Sequence, residues 1–311
     1  MRCAGIVRIW WRVALPLVKP TSAAIALLAL VSFWWCSWTP TRAGLPALCS
    51  RSFGLETDMR MTRWACALLM LCVFPAHAHD TWMLAKSGSD GTLALALTSG
   101  MAFPSNETAI KPERVAAGAT LLIDGRRIEL DSLLPGVDHL LLNTGEALPA
   151  SAVAWLSLHP RTLELDASKV DEYLAELGDQ GELREQFQRD GRWREQYVKH
   201  VKALVGAPAA SWLQAVGSDL EITLRSDLSE FGAGRRLRFQ LTQNGAPVSG
   251  HRMAMTDSSG HQHSQTDANG MASFELTGAG AVLLSAIVIK HVAPADHEWA
   301  SDFATLTFEV P

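Results

Sequence analysis

From Thr92 onward, and again from Leu220, one pattern recurs: short apolar runs such as LALALTSG, TLLIDG, RRIEL and HLLLNTG, each cut off by Gly, Asp or Asn. The breaks fall at roughly ten-residue intervals, too close for long helices and well suited to strands joined by tight turns. A strand sends alternate side chains to opposite faces, so such a chain can bury its apolar half only by stacking sheets. The expected fold class is therefore mainly β, with β-sandwich domains of the immunoglobulin-like kind. Ala152 to His159 (AVAWLSLH) reads as a further strand that closes a first β domain over residues 79–160.

Residues 161–217 differ in kind. Asp166 and Ser168 offer helix N-caps, and Val170, Tyr173, Leu174 and Leu177 recur at helical spacing before Gly178. A second helix is expected from Leu183 to Val205, with Phe187, Trp193, Tyr197, Val201 and Leu204 on one stripe and Gly206 and Pro208 ending it. Alternation resumes at LEITLRS and continues through RRLRFQLTQNG, HRMAMTD, GMASFEL, AVLLSAIVIKH and FATLTFEV, an expected immunoglobulin-like sandwich over residues 218–311. Gln243-Asn244-Gly245 and Asn269-Gly270 are turn signals, because Asn and Gly tolerate positive φ.

Upstream of these domains, Met61 opens MTRWACALLMLCVFPAHA: a basic Arg63, an apolar core, Pro75, then small residues at Ala76 and Ala78. These are the parts of a secretory signal peptide over 61–78, and cleavage after Ala78 exposes His79. Residues 1–60 hold a second apolar run and five of the eleven tryptophans, which reads as translated upstream sequence from a misplaced start or as a membrane anchor. All five cysteines precede His79, so an exported product has no disulfide, no thiolate nucleophile and no Cys-type metal site. Charge divides the same way. Residues 1–78 carry eight Lys/Arg against two acidic residues, and the remainder carries 19 against 30. An acidic remainder repels phosphate backbones, so nucleic acid is not an expected partner.

With cysteine removed, imidazole becomes the principal metal-binding chemistry. A processed His79 can chelate through its α-amine and ring Nδ1 together; imidazole suits Ni, Cu and Zn, and nitrogen-rich geometry favours Cu(II) or Ni(II). Cleavage after Ala76 instead would place a histidine third, again a nickel or copper arrangement. His251, His261, His263, His291 and His297 cluster in the last 61 residues. His261-Gln262-His263 reads as a solvated loop; as a strand it would put both rings on one face. His291 follows an apolar strand at its rim, while Asp296, Glu298 and Asp302 read as solvated charges. No nucleophile elbow, phosphate loop or HExxH motif is present, so a binding protein is expected rather than an enzyme.

Five segments together resemble a family of secreted proteins catalogued with nickel-uptake components of the NikK and NikM kind. They are His79-Asp80-x-Trp82, the helix text VDEYLAEL with REQYVKHVKALVG, LEITLRSDL, TDANGMASFEL, and IKH followed by HEWASDFATLTFEV. The resemblance implies a periplasmic accessory of a membrane metal importer that binds nickel or cobalt, with copper as the alternative, and makes His79 and His291 the matching histidines. The candidate metal residues are thus His79, His291, His261 and His263. Two other readings stand beside this one: a ligand-free immunoglobulin-like surface module, and a copper enzyme built on a histidine brace.

Overall fold

A computed structural model describes residues 79–88, 91–178, 181–292 and 298–311; the expected leader at 61–78, everything before it and His297 lie outside them. The described residues are mainly β, and their strands form three sheets. The first sheet orders β1 (Asp80–Ser87), β2 (Thr92–Gly100), β7 (Leu140–Ala147) and β6 (Ser132–Pro135), with β3 (Thr108–Ala109) on β2. The third sheet holds β11 (Leu220–Leu224), β12 (Arg236–Gln243) and β13 (Ala246–Pro247), with β16 (Met271–Glu275) also paired to β12.

Between them runs a nine-stranded sheet. Its order is β15 (Gly260–Gln265), β14 (Arg252–Asp257), β17 (Gly280–His291), β18 (Trp299–Val310), β10 (Trp193–Gly206), β8 (Ser151–Ser157), β4 (Thr120–Ile123) and β5 (Arg126–Glu129), with β9 (Arg161–Leu165) beside β10. Its two faces feed two separate cores. Leu121, Ala154 and Ala203 pack with Leu95 and Leu142 of the first sheet. Their chain neighbours Leu122, Val153 and Leu204 pack with Ile222 and Phe239 of the third. A strand covered on both sides needs no polar face, which is why AVAWL of β8 and ALV of β10 are apolar throughout.

This shared layer alters the expected organisation. Strands from 79–160 and from 218–311 lie in one sheet, joined by the parallel pairing of β10 with β18. The C-terminal half therefore is not a self-contained immunoglobulin-like sandwich; its second face comes partly from β8 and β10.

The helical segment is only half helical. Helix α1 (Ala167–Leu177) starts at Asp166 and stops at Gly178, whose φ of +72° is left-handed, as the caps predicted. Helix α2 (Glu182–Asp190) stops at Gly191, and the chain then extends as β10. The expected helix to Val205 is thus corrected to a short helix followed by a long strand. Trp193, Tyr197 and Val201 sit four apart, a spacing that fits one helical stripe and one face of a strand equally well. The turns behave as expected: Asn244 and Gly245 take φ of +50° and +78° between the paired Gln243 and Ala246. Among the described residues no helix is long and apolar enough to cross a membrane.

Candidate functional site

The start of β1 lies over the central sheet, and its alternation sends side chains into two different cavities. Thr305 and Thr307 hydroxyls donate to the Thr81 and Met83 carbonyls at 2.6 and 2.5 Å, fixing β1 above β18. His79 and Thr81 then line a cavity of about 600 Å³, while Asp80 and Trp82 line a second of about 320 Å³.

The second cavity holds the nearest approach to the expected metal site. Asp80 bonds the Ser285 hydroxyl and feels the charges of Lys199, His261 and His79. Burial raises its carboxyl above the usual range, and those four neighbours pull it back. His261 sits on the cavity wall, its Nδ1 2.9 Å from Thr256 Oγ1. The expected loop at His261-Gln262-His263 is the strand β15, so both imidazoles project from one face and both are exposed. His263 stands opposite Ala254, which itself stands opposite Ser285. The Trp82 indole N–H is buried in this wall with no acceptor among the described residues.

His291 is placed elsewhere. It ends β17 eight residues beyond Leu283, whose row contains Thr256 and His261, and at about 3.3 Å per residue that is about 26 Å. Its ring rests edge-on against Trp299 at 5.3 Å. One ion cannot be shared by His291 and His261. Among the described residues, no three His, Cys, Asp or Glu side chains are grouped closely enough to hold a metal as positioned.

Two carboxylates read as solvated are engaged instead. Glu298 pairs with Arg192 at 2.8 Å. Asp302 takes Gln243 Nε2 at 3.0 Å and faces His200 Nε2 at 3.4 Å, while His200 Nδ1 lies 2.8 Å from Ser157 Oγ. Serine, histidine and aspartate thus lie in line across β8, β10 and β18. None of the three lines either cavity, and this set serves as a polar seam between layers.

The larger cavity was not anticipated. Register puts Arg161 opposite Tyr197 and Lys199 opposite Phe303, so all four project from one face of the central sheet as its floor. Lys199 Nζ donates to the His79 carbonyl and to Thr81 Oγ1, the latter at 3.1 Å, and lies 5.4 Å from the Phe303 ring centre. Burial lowers its ammonium to about 8, against the pull of Asp80 and with the help of Arg114. Arg114 comes from a turn that reaches across from β3 and donates to the Pro160 carbonyl at 3.3 Å. Below, Tyr173 of α1 donates to Glu195 at 3.1 Å, and Trp193 Nε1 reaches the same carboxyl at 2.8 Å. The signal for this site lay in β10: read with a period of two, Glu195, Tyr197 and Lys199 share a face. Helical periodicity scattered them.

The profile of the family described as Domain of unknown function (DUF4198) matches residues 76–290, more than two-thirds of the chain. The chain belongs to that family. No curated protein matches it. A solved structure from work on host cell surface retention of a 1.5-MDa bacterial ice-binding adhesin aligns at 11% identity with a TM-score of 0.20. That alignment covers 74% of this chain and 65% of that one, so the chain spans about two-thirds of its length. β1, the smaller cavity beside it and most of β17 fall inside the family's matched region, whereas Phe303 on the floor of the larger cavity lies beyond it.

Proposed function

We propose that this DUF4198 protein is an exported periplasmic metal-binding protein, not an enzyme, which supplies nickel or cobalt, with copper as the alternative, to a membrane transporter. The observation that supports this is that Asp80, at the start of β1, feels the charge of both His79, its chain neighbour, and His261, on the wall of the cavity it lines. Two imidazoles, a carboxylate and the α-amine released by cleavage after Ala78 form an N-rich donor set suited to these ions. His79 and His261 are exposed, so their rings are able to turn toward Asp80 as an ion arrives. His263, beside His261, is the next nitrogen along the same face.

The test is calorimetry with Ni(II), Co(II) and Cu(II) on protein carrying its natural amino terminus. One ion should bind per chain, and His261→Ala or one residue added before His79 should weaken it at least about tenfold. His291→Ala should leave affinity within about twofold. Undiminished binding by the extended or H261A protein would overturn this site.

A further inference from the structure

The larger cavity on the other side of β1 shares only His79 with the metal reading, whose Asp80 and His261 line the smaller one. Four cations reach it, Lys111, Arg114, Arg161 and Lys199, and no carboxylate is among its lining residues. None of the four forms an ion pair among the described residues. Gathering like charges is costly, and the cost is visible here: burial lowers Lys199 and Arg114, and the pair Arg114–Lys199 and the pair Arg114–Arg161 each repel. In a chain whose exported part is acidic, a local excess of positive charge facing a concavity is a specific arrangement rather than an average.

The rest of the wall is apolar and aromatic. Tyr197 and Phe303 lie edge to face at 5.8 Å on the floor, and Ile110, Leu158 and Leu163 close the sides. A volume of about 600 Å³ lies in the range of small-molecule sites, with few polar groups among apolar walls. The guanidinium forks offer paired N–H donors that match the two oxygens of a carboxylate, and the rings offer a face to a flat or aliphatic body. Inorganic phosphate or a sugar would leave that apolar wall uncovered.

We propose that this cavity binds a small amphipathic organic carboxylate, its acid group held among Arg114, Arg161 and Lys199 and its apolar body laid on Tyr197 and Phe303. Binding would order β1 from its underside, because Lys199 also holds the His79 carbonyl and Thr81. The site stands without the metal, so its failure and that of the metal reading are separate results.

The experiment uses chelator-stripped protein with its natural amino terminus, titrated by calorimetry with 2-naphthoate, 2-naphthol and inorganic phosphate. Naphthoate should bind once per chain, and the neutral alcohol and phosphate each at least about tenfold more weakly. Arg161→Ala, at an exposed position, should weaken naphthoate several-fold. Arg114→Met and Lys199→Met should weaken it about tenfold or more, with circular dichroism confirming that each variant is folded. If either of these does not fold, Arg161→Ala together with Lys111→Ala, both exposed, carries the comparison. Equal affinity for naphthoate and naphthol, equal affinity in the Arg161 variant, or no naphthoate binding at about 5 mM overturns the proposal.

Discussion

Glu221→Gln is the sharpest test of how the layers are held together. Lys202 on β10 and Glu221 on β11 pair at 2.7 Å with side chains only 5% and 3% exposed, bridging the central and third sheets. Lys202 also donates to the Gln214 carbonyl at 2.9 Å. Glu221 accepts from the Val216 and Gly217 amides at 2.8 and 2.9 Å and from the Thr223 hydroxyl at 3.2 Å. The amide oxygen of glutamine keeps part of that acceptor role but leaves a buried ammonium without its counter-charge. Breaking a buried pair from one side costs about 3–5 kcal/mol, and with the acceptor partly kept the lower end, about 3 kcal/mol, is expected. For a unit of this size that is a fall in Tm of about 6–12 °C, or the equivalent shift in a urea midpoint. The pH dependence supplies a second reading. Burial pushes the Glu221 carboxyl up, but Lys202 and the two amides outweigh it and hold it below the usual range. The folded pKa is thus lower than the unfolded one, so this stabilisation is present above the ordinary glutamate value and fades as pH falls through the folded value. The gap between wild type and variant should narrow on acidification. Replacing both partners, Lys202→Met with Glu221→Leu, should recover most of the loss. A loss below about 1 kcal/mol at neutral pH, or a gap that ignores pH, would refute this account.

Two further outcomes follow from the same geometry. His251 is half-buried with Nε2 2.6 Å from the Ile287 carbonyl, and burial lowers its pKa against the pull of that carbonyl. A depressed histidine loses stability as pH falls below about 6.5, so wild type should lose more stability by urea titration from pH 7 to pH 5 than His251→Gln, which keeps a donor; equal losses would count against it. Trp299 is buried and stacks on Trp193 at 4.3 Å, in the cluster that seats α1 and α2 on the sheet. Trp299→Ala should cost about 3–5 kcal/mol and raise amide exchange first in the two helices; uniform exchange would refute a local anchoring role.

The strand runs, the turn residues and the caps were legible because each depends on neighbours in the chain. Asn244 and Gly245 adopt positive φ where the turn text expected it, and Gly270, at φ +71°, leaves no room for a Cβ, which would meet the Leu241 carbonyl at 2.5 Å. The error at β10 has an equally local cause. The second half of β10, from His200 to Val205, is buried on both faces and loses much of its polar alternation, and Trp193, Tyr197 and Val201, four apart, satisfy a helix as well as a strand. Gly191, the stop that separates α2 from β10, stood in the text as a lone glycine.

What the sequence determined alone is the class of the fold, the absence of cysteine chemistry after His79, and the histidine and acidic inventory of that part of the chain. These depend on composition and on contacts within a few residues. Only the tertiary structure decided which of those residues meet. His261 and His291 are 30 positions apart and end on the same sheet, yet strand register separates them by about 26 Å. Asp80, Lys199 and Ser285 are scattered over 200 positions and converge because β1 lies across the central sheet. Pairing register and layer stacking are set by the burial of whole faces, a sum over the chain that no local segment carries.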